Sequence, residues 1–190
     1  MATKPGARRL QILQTLASML ENPRAERVTT AALAAKLAVS EAALYRHFAS
    51  KAQMYEGLIE FIETTLFTLV NKIAGETPDG VAQAQQIVAV LLGFADKNPG
   101  MTRVLIGEAL VNEDERLQTR INQLHDRLEA SLKQSLRLAE VVGGHAGIEV
   151  GAHANLLLCY VIGRWQLFAK SRFKRTPSEQ WDAQRALLLG

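Results

Sequence analysis

Side chains able to contact a nucleic acid are concentrated in the stretch SEAALYRHF, in the first quarter of the chain. Leu44 and Phe48 lie four residues apart, so a helix would bury both and leave Tyr45, Arg46 and His47 on its outer faces. These three side chains can hydrogen-bond to phosphates or base edges, and the alanines before them would let the helix approach a major groove closely. An exposed tyrosine and arginine beside alanines are difficult to explain by packing. The stretch is therefore our candidate for a DNA-reading helix.

The elements that would hold this helix are two short helical patterns, at residues 30–37 and 41–48. Only three residues separate them, which is too few for an antiparallel hairpin, so the two helices must cross at a steep angle. Thr29 or Thr30 would cap the first helix and Ser40 the second, because a hydroxyl oxygen can accept a hydrogen bond from a first-turn amide. The pattern predicts a helix-turn-helix.

A long amphipathic helix is predicted to follow directly. Ser50 and Gln53 are spaced as a capping box, and apolar residues then recur every three or four positions. We expect Phe61 and Leu69 to belong to this buried stripe. Lys51 would lie in the first turn, where the helix dipole disfavours a cation, and a contact with a phosphate would resolve this conflict.

Basic residues are concentrated around the predicted motif. Residues 1–51 contain eight Lys or Arg and three Glu, a net charge of +5, whereas the remaining residues contain 14 basic and 16 acidic side chains. A phosphate-binding module needs such a cationic segment, and a solvated basic face would have the same composition. Arg8 and Arg9 stand at the start of another predicted helix, which precedes the helix-turn-helix and ends near Asn22 and Pro23. There they would either contact a DNA backbone or keep the terminus soluble.

The composition favours an all-α protein of about nine helices. Ala, Leu, Glu, Gln, Lys and Arg are abundant, and runs of alternating β-branched and aromatic residues are absent. The single cysteine, Cys159, cannot form a disulfide within one chain, which favours a reducing compartment. No secretory signal precedes the first helix, and the most apolar run, 154–163, is about half the length needed to cross a bilayer. We expect a soluble cytoplasmic protein.

Motifs for catalysis or metal binding are absent from the sequence. It has no Gly-rich phosphate loop and no nucleophile elbow, and His125, His145 and His153 lack the spacing of metal ligands. The acidic run Glu113, Asp114 and Glu115 would begin a helix, so we expect these residues to compensate the helix dipole rather than to catalyse a reaction. We therefore expect neither enzyme activity nor a cofactor.

The rest of the chain is predicted to form a helical body. The predicted helices are 81–97, 101–111, a long one starting near Asn112, 148–172, and a short terminal one capped by Thr176. The run NLLLCYVIG in the fourth of these is apolar on nearly every face, so this helix should be covered on all sides. In a chain this small a partner subunit would supply the extra cover, and Gly151 and Gly163 would permit close approach. We expect a homodimer with its two-fold axis along this helix.

The predicted helix-turn-helix resembles the TetR family of bacterial regulators. The family pattern Leu-Tyr-x-His-Phe-x-x-Lys is matched by Leu44, Tyr45, His47, Phe48 and Lys51. This resemblance implies an all-helical homodimer with two small N-terminal DNA-binding heads and a larger C-terminal body that dimerises. The implied domains are a DNA-binding domain at 1–51 and a dimerisation and partner-binding domain at 52–190.

The resemblance also implies which side chains contact DNA. The family's DNA-contacting positions are matched here by Thr30, Glu41, Ala43, Tyr45, His47 and Lys51. Glu41 departs from the family's chemistry, because a carboxylate must either accept from cytosine or turn away from phosphate. With the residues argued above, the predicted DNA-binding set is Arg8, Arg9, Thr29, Thr30, Ser40, Glu41, Ala43, Tyr45, Arg46, His47 and Lys51. The predicted ligand is double-stranded DNA with a palindromic site.

A more specific resemblance covers the whole chain. The segments MYEGLIEFIE, LLGFADKNPGMTRVL, DERLQTRINQL and FKRTPSEQWDAQ are similar to the nucleoid occlusion factors of the TetR family. This resemblance implies a nucleoid-associated dimer that recruits the tubulin-like division GTPase FtsZ and antagonises its assembly over the chromosome. The partner-binding residues would be Val90, Phe94, Lys97, Asn98 and Arg103, around a Pro-Gly turn that we expect to be exposed.

Two positions depart from this second pattern. Leu69 stands where the pattern has a basic residue, and Val90 replaces a leucine. The alternative function is that of a TetR-type transcriptional repressor, in which a small-molecule effector bound inside the body releases the DNA. The first hypothesis predicts that the DNA-bound protein disrupts FtsZ polymers, and the second predicts that a small molecule releases the protein from DNA.

Overall fold

The computed structural model describes residues 5–22, 28–143 and 149–189. Within these ranges the backbone forms helices and turns and no β-strand, so the all-α prediction is confirmed. The α-helices are α1 (Pro5–Leu20), α2 (Thr30–Lys36), α3 (Glu41–Tyr45), α4 (Lys51–Glu76), α5 (Gly80–Lys97), α6 (Pro99–Leu105), α7 (Glu115–Gly143), α8 (Val150–Lys170) and α9 (Trp181–Leu189). A short 3₁₀ helix, Glu108–Leu110, lies between α6 and α7. Pro23, His145 and the predicted start of α8 at residue 148 lie outside the described residues.

The caps of the helix-turn-helix are those predicted from the sequence. The hydroxyl oxygen of Thr29 accepts from the amide of Ala32 at 3.1 Å, and that of Ser40 accepts from the amide of Ala43 at 3.2 Å. Each bond satisfies an amide that the first turn of a helix cannot pair within the helix. The helix α3 ends three residues earlier than predicted.

The predicted capping box at the start of α4 is also confirmed. The hydroxyl oxygen of Ser50 accepts from the amide of Gln53 at 3.1 Å, and the side-chain oxygen of Gln53 accepts from the amide of Ala49 at 2.9 Å. The two bonds satisfy one amide on either side of Ser50. They hold the chain where it leaves the helix-turn-helix and enters the long helix α4.

Two predicted helix starts in the C-terminal half are wrong. The helix α7 begins at Glu115 rather than near Asn112, and α9 begins at Trp181 rather than after a cap at Thr176. Asn112 has a φ of 64° and Gln180 has a φ of 74°, so both adopt a left-handed backbone just before these helices. At Asn112 this geometry excludes the extended backbone that an N-cap residue usually has, so α7 starts only after the turn. At Gln180 the carbonyl oxygen accepts from the amide of Gln184 at 2.9 Å, so α9 starts directly after this residue.

The first compact unit consists of Met1–Ile62 together with Asn98–Ile121. Within it α1 packs against α2 and α6. The helix α6 begins at Pro99, and Gly100 is buried with its α-carbon against the carbonyl oxygen of Ala17. The prediction of an exposed Pro-Gly turn is therefore wrong, because this dipeptide forms the buried start of a helix. The core of the unit includes Ile12, Leu16, Leu33, Leu44, Phe48 and Leu58.

The second compact unit consists of Glu63–Lys97 together with Asn122–Gly190. Within it α5 packs against α8 and α9, and the indole nitrogen of Trp165 donates to the carbonyl oxygen of Leu91 at 3.1 Å. The helix α8 is capped by the Glu149 carboxylate, which accepts from the amides of Gly151 and Ala152 at 2.9 and 2.5 Å. These hydrogen bonds hold the pKa of Glu149 below its ordinary value.

The long helices α4 and α7 each contribute residues to both units. The predicted buried stripe of α7 is confirmed at Leu117, Ile121, Leu124, Leu128, Leu132 and Leu136. That of α4 is wrong at Phe61 and Leu69, which are exposed, while Tyr55, Ile59 and Val70 are buried in addition to the predicted positions. The division into functional domains at 1–51 and 52–190 stays a prediction.

Candidate nucleic-acid interface

The helix α3 and the turn that follows it, residues 41–48, divide their side chains between core and surface much as the sequence predicts. Leu44 and Phe48 are buried, whereas Tyr45 is 44 % exposed and Arg46 and Glu41 are exposed. Ala43 and His47 are half-buried beside them. A tyrosine with nearly half its surface in solvent gains little from packing, so the outer face of α3 is available for contacts with a ligand.

The side chain of Glu41 is turned onto a neighbouring hydroxyl. The Thr30 hydroxyl donates to a carboxylate oxygen of Glu41 at 2.5 Å, and the Tyr45 hydroxyl donates to the Thr30 oxygen at 3.5 Å. These two hydrogen bonds link the start of α2 to both ends of α3. The bond between Thr30 and Glu41 also accounts for an acidic residue at a position where the family resemblance predicts a DNA contact, because the carboxylate holds the Thr30 hydroxyl and need not approach a phosphate.

Arg9 lies against the C-terminal end of α3. Its guanidinium donates to the carbonyl oxygen of His47 at 2.5 Å, and its central carbon lies 4.1 Å from the centre of the Phe48 ring. These contacts bring Arg9 to the candidate DNA-reading residues and fix the end of that helix. Arg8 instead donates to the side-chain oxygen of Gln11 at 2.7 Å, within its own helix.

Lys51 makes a contact that sequence reasoning missed. Its ammonium group pairs with the carboxylate of Glu113, in the connection between the 3₁₀ helix and α7, and lies 5.7 Å from the centre of the Tyr55 ring. Glu113 was predicted to compensate the dipole of α7, but α7 begins only at Glu115. The two partners are 62 residues apart, so no local spacing rule connects them.

The predicted partner-binding residues differ in exposure. In the second unit Lys97 is exposed and Val90 is half-buried, on the side of α5 that also carries Gly93, whereas Phe94 is only 7 % exposed and belongs to the core. Leu69, on α4 in the same unit, is exposed. Lys97 and Leu69 are thus accessible from solvent and Val90 is partly so, whereas Phe94 is not.

In the first unit Asn98 immediately precedes α6 and is half-buried, and Arg103 is held within the unit. The guanidinium of Arg103 donates to Glu108 at 2.7 Å and to the carbonyl oxygens of Leu20 and Asn22 at 3.1 and 3.3 Å. These carbonyls end the turn after α1, so Arg103 closes that helix.

In the described part of the chain, no group of three or more His, Cys, Asp or Glu residues is arranged to hold a metal ion. The ring of His125 lies 6.1 Å from that of Trp165, and a ring nitrogen of His153 lies 2.6 Å from the carbonyl oxygen of Leu188. Among the same residues, none of the helices combines the length and the apolar character that a membrane span requires.

Two family models match the chain. The model described as "Bacterial regulatory proteins, tetR family" matches residues 25–58, which include the helix-turn-helix. The SlmA-like model, described as "Tetracyclin repressor-like, C-terminal domain", matches residues 79–190. The first model therefore covers the candidate DNA-reading residues from Thr29 to Lys51, and the second covers α5 to α9.

Curated relatives match over almost the full length. The nucleoid occlusion factor SlmA of Alteromonas mediterranea is 52 % identical over 186 residues, which cover 97 % of this chain and 95 % of the relative. The nucleoid occlusion factor SlmA of a Marinomonas species is 49 % identical over 189 residues, which cover 99 % of this chain and 96 % of the relative.

Solved structures share the fold at much lower identity. The TetR family transcriptional regulator PfmR of Thermus thermophilus superposes with a TM-score of 0.79 at 20 % identity, covering 94 % of this chain and 97 % of that one. The fatty acid degradation regulator FadR of Bacillus halodurans has a TM-score of 0.82 at 14 % identity and covers 99 % and 97 %. The TetR fold and the near-complete coverage by relatives that are about half identical lead to one conclusion: the chain belongs to the SlmA family of nucleoid occlusion factors, a branch of the TetR family of helix-turn-helix regulators.

Proposed function

We propose that this protein is a sequence-specific DNA-binding homodimer that acts as a nucleoid occlusion factor and antagonises FtsZ assembly over the chromosome. The observation that carries this proposal is its identity of 52 % to a nucleoid occlusion factor over 97 % of the chain. Such a protein would work in the cytoplasm, on the nucleoid.

DNA is bound through the outer face of the helix-turn-helix. Tyr45, Arg46 and His47 face the groove, and Ala43 allows close approach. The hydroxyl groups of Thr29 and Ser40 accept their capping bonds through oxygen, which leaves the proton of each hydroxyl able to donate to a phosphate. The complete proposed set is Arg8, Arg9, Thr29, Thr30, Ser40, Glu41, Ala43, Tyr45, Arg46, His47 and Lys51. A single head offers few phosphate contacts, so useful affinity requires two heads on a palindromic site.

Dimerisation occurs through one face of α8. Leu156, Cys159, Gly163 and Leu167 are spaced by three or four residues, and all are exposed. An added β-carbon at Gly163 would meet nothing within 4 Å, so a partner helix has room to approach there. Leu187 on α9, within the same unit, is also exposed. An apolar stripe of this kind on the last two helices is covered when a second copy packs against it.

FtsZ docks on the exposed side of α5. Val90 offers an apolar contact and Lys97 a cation, which suits a partner segment that carries apolar and acidic side chains. Within the second unit Phe94 packs in the core and holds α5 in place. Within the first unit Arg103 holds α6 against the end of α1, and Asn98 stands at the start of α6. Leu69 replaces the basic residue of the family pattern, so the partner has one fewer cation to contact and more apolar surface.

The test begins with selection of bound duplexes from random sequence, followed by sedimentation of FtsZ polymers with the protein and the selected DNA. Polymer mass should fall when both are present. Lys97→Asp should abolish this effect and leave DNA affinity unchanged, and Lys174→Asp, at an exposed lysine outside the proposed surface, should behave as wild type. Unchanged FtsZ sedimentation at saturating DNA would contradict the proposal. Release of the selected DNA by a small molecule, with no response from FtsZ, would support the ligand-responsive repressor instead.

A further inference from the structure

The charge of Lys51 is already neutralised within the protein. Its ammonium group pairs with Glu113, and the side chains of the two residues are 21 % and 6 % exposed. An ion pair with so little water around it is screened weakly, so the carboxylate cancels most of the field that a DNA phosphate would experience. The lysine of the family pattern is therefore not a free cation in the structure.

The carboxylate is more buried than the ammonium group, with 6 % of the Glu113 side chain exposed against 21 % of the Lys51 side chain. The connection before α7 is shaped by Gly107 and Asn112, which have φ values of 76° and 64°, and the amide of Glu113 donates to the carbonyl oxygen of Leu110 at 2.9 Å. The glutamate side chain is shorter than that of lysine, so the carboxylate can move only a short distance from this backbone. Lys51 has a longer, flexible side chain that keeps a fifth of its surface in solvent, so the ammonium group is the partner able to turn toward DNA.

A phosphate that approaches Lys51 must either displace Glu113 or share the ammonium group with it. Sharing places two anions close together in a site with little water, and this repulsion is costly. Displacement leaves a buried carboxylate without its lysine, which is also costly. Either route lowers the net gain from the Lys51–phosphate contact.

We propose that Glu113 competes with DNA phosphates for Lys51 and thereby limits DNA affinity from outside the helix-turn-helix. The inference rests on the proposed function, because it concerns the strength of the same DNA contact. Glu113 is thus an affinity-determining residue of the interface, although it lies 62 residues beyond the lysine that it controls.

The test compares variants by fluorescence anisotropy with the labelled duplex that is selected from random sequence, which is long enough for both heads of a dimer. Glu113→Gln keeps the shape and a hydrogen-bond acceptor but removes the charge. It should tighten binding by about five-fold if one head responds and about 25-fold if both do, because five-fold is about the upper end of what an exposed ion pair contributes and this pair has less water around it. Lys51→Gln should weaken binding. In the Lys51→Gln background, Glu113→Gln should not tighten binding further, because the ammonium group for which Glu113 competes is absent.

Two further variants separate this mechanism from others. Glu115→Gln removes the same charge two residues away and should leave affinity unchanged, so it controls for long-range electrostatics. Glu113→Asp keeps the charge and withdraws the carboxylate by one methylene, and it should tighten binding by less than Glu113→Gln. Melting temperatures of all variants identify any that fail to fold.

The outcomes distinguish this inference from the proposed function. If the wild-type protein binds no duplex, both are overturned. If it binds DNA but Glu113→Gln weakens binding or leaves it unchanged in folded protein, only the competition is overturned. Tightening by Glu113→Gln that persists in the Lys51→Gln background would also overturn it, since the effect would not pass through Lys51.

Discussion

Tyr45 combines a large exposed surface with an orienting hydrogen bond. The residue is 44 % exposed, and its hydroxyl lies 3.5 Å from the oxygen of Thr30, whose hydroxyl in turn donates to Glu41. A side chain that is ordered before it meets its ligand loses less conformational entropy on binding. We therefore assign Tyr45 a larger share of the DNA affinity than its single hydroxyl would suggest.

Tyr45→Ala should weaken binding to the selected duplex by roughly ten-fold to a hundred-fold, the range expected when one groove contact is lost. The thermal midpoint should fall only slightly, by about as much as for Leu10→Ala, because the two residues are similarly exposed, at 44 % and 41 %. Leu10→Ala is the matched control, since Leu10 is also exposed in the same unit and lies outside the proposed interface. Anisotropy titrations and thermal melts of both variants would check the prediction, and an equal loss of affinity in the two would refute it.

At the scale of single residues, the sequence predicts contacts that are local along the chain. The caps at Thr29, Ser40 and Ser50 follow from the fixed three-residue spacing between a cap and the amide that it satisfies. The pairing of Lys51 with Glu113 follows from no such spacing, because the fold rather than the local helix brings the two together. The pairing state of Lys51 could therefore not be predicted from the sequence, although Lys51 itself is among the predicted DNA-binding residues.

At the scale of helices, the contact between α1 and α6 depends on the absence of a side chain at Gly100. A β-carbon there would collide with the carbonyl oxygen of Ala17 and would lie 3.2 Å from the amide nitrogen of Glu21. Both are backbone atoms, so neither can move without displacing α1. Arg103 binds the end of the same helix through the carbonyl oxygen of Leu20, which makes α6 the support of α1.

Gly100→Ala should lower the free energy of unfolding by about 1–3 kcal/mol, the usual cost of forcing an extra carbon into a packed contact. Gly75→Ala offers a matched control, because an added β-carbon at Gly75 in α4 meets nothing within 4 Å. This second change should be neutral or stabilise the helix by up to about 1 kcal/mol. Guanidinium unfolding followed by circular dichroism would measure the free energy of unfolding of both variants. Equal values for the two would show that α1 can shift to accommodate the added carbon at little cost, and would contradict the prediction.

The helices themselves were predictable where apolar spacing extends over several turns, as in α7. Their starts were not predictable where a left-handed residue intervenes. Asn112 and Gln180 are ordinary polar residues in the sequence, and nothing local indicates a positive φ at either. Phe61 and Leu69 are exposed although the sequence predicts them to be buried. The spacing of apolar residues in a helix does not distinguish a buried face from an apolar face that is exposed in the single chain.

At the scale of the whole molecule, the central question is what covers α8. The sequence indicated a helix that is apolar on nearly every face, and within one chain Leu157, Val161 and Trp165 are buried on one side. The opposite side carries Leu156 and Leu167, and it stays exposed. A soluble chain rarely leaves such a stripe open along one helix, so a second copy of the chain is the cover that we expect.

Leu156→Glu should convert the dimer into a monomer, because two carboxylates would be buried near the two-fold axis without cations to pair with them. The monomer would also lose most of its affinity for a palindromic duplex, since each head would then bind alone. Leu69→Glu is the matched control: Leu69 is 39 % exposed, against 52 % for Leu156, and lies on α4 outside the proposed dimer face. Sedimentation equilibrium should give a dimer for wild type and Leu69→Glu, and a monomer for Leu156→Glu. A stable Leu156→Glu dimer would place the interface elsewhere on the chain.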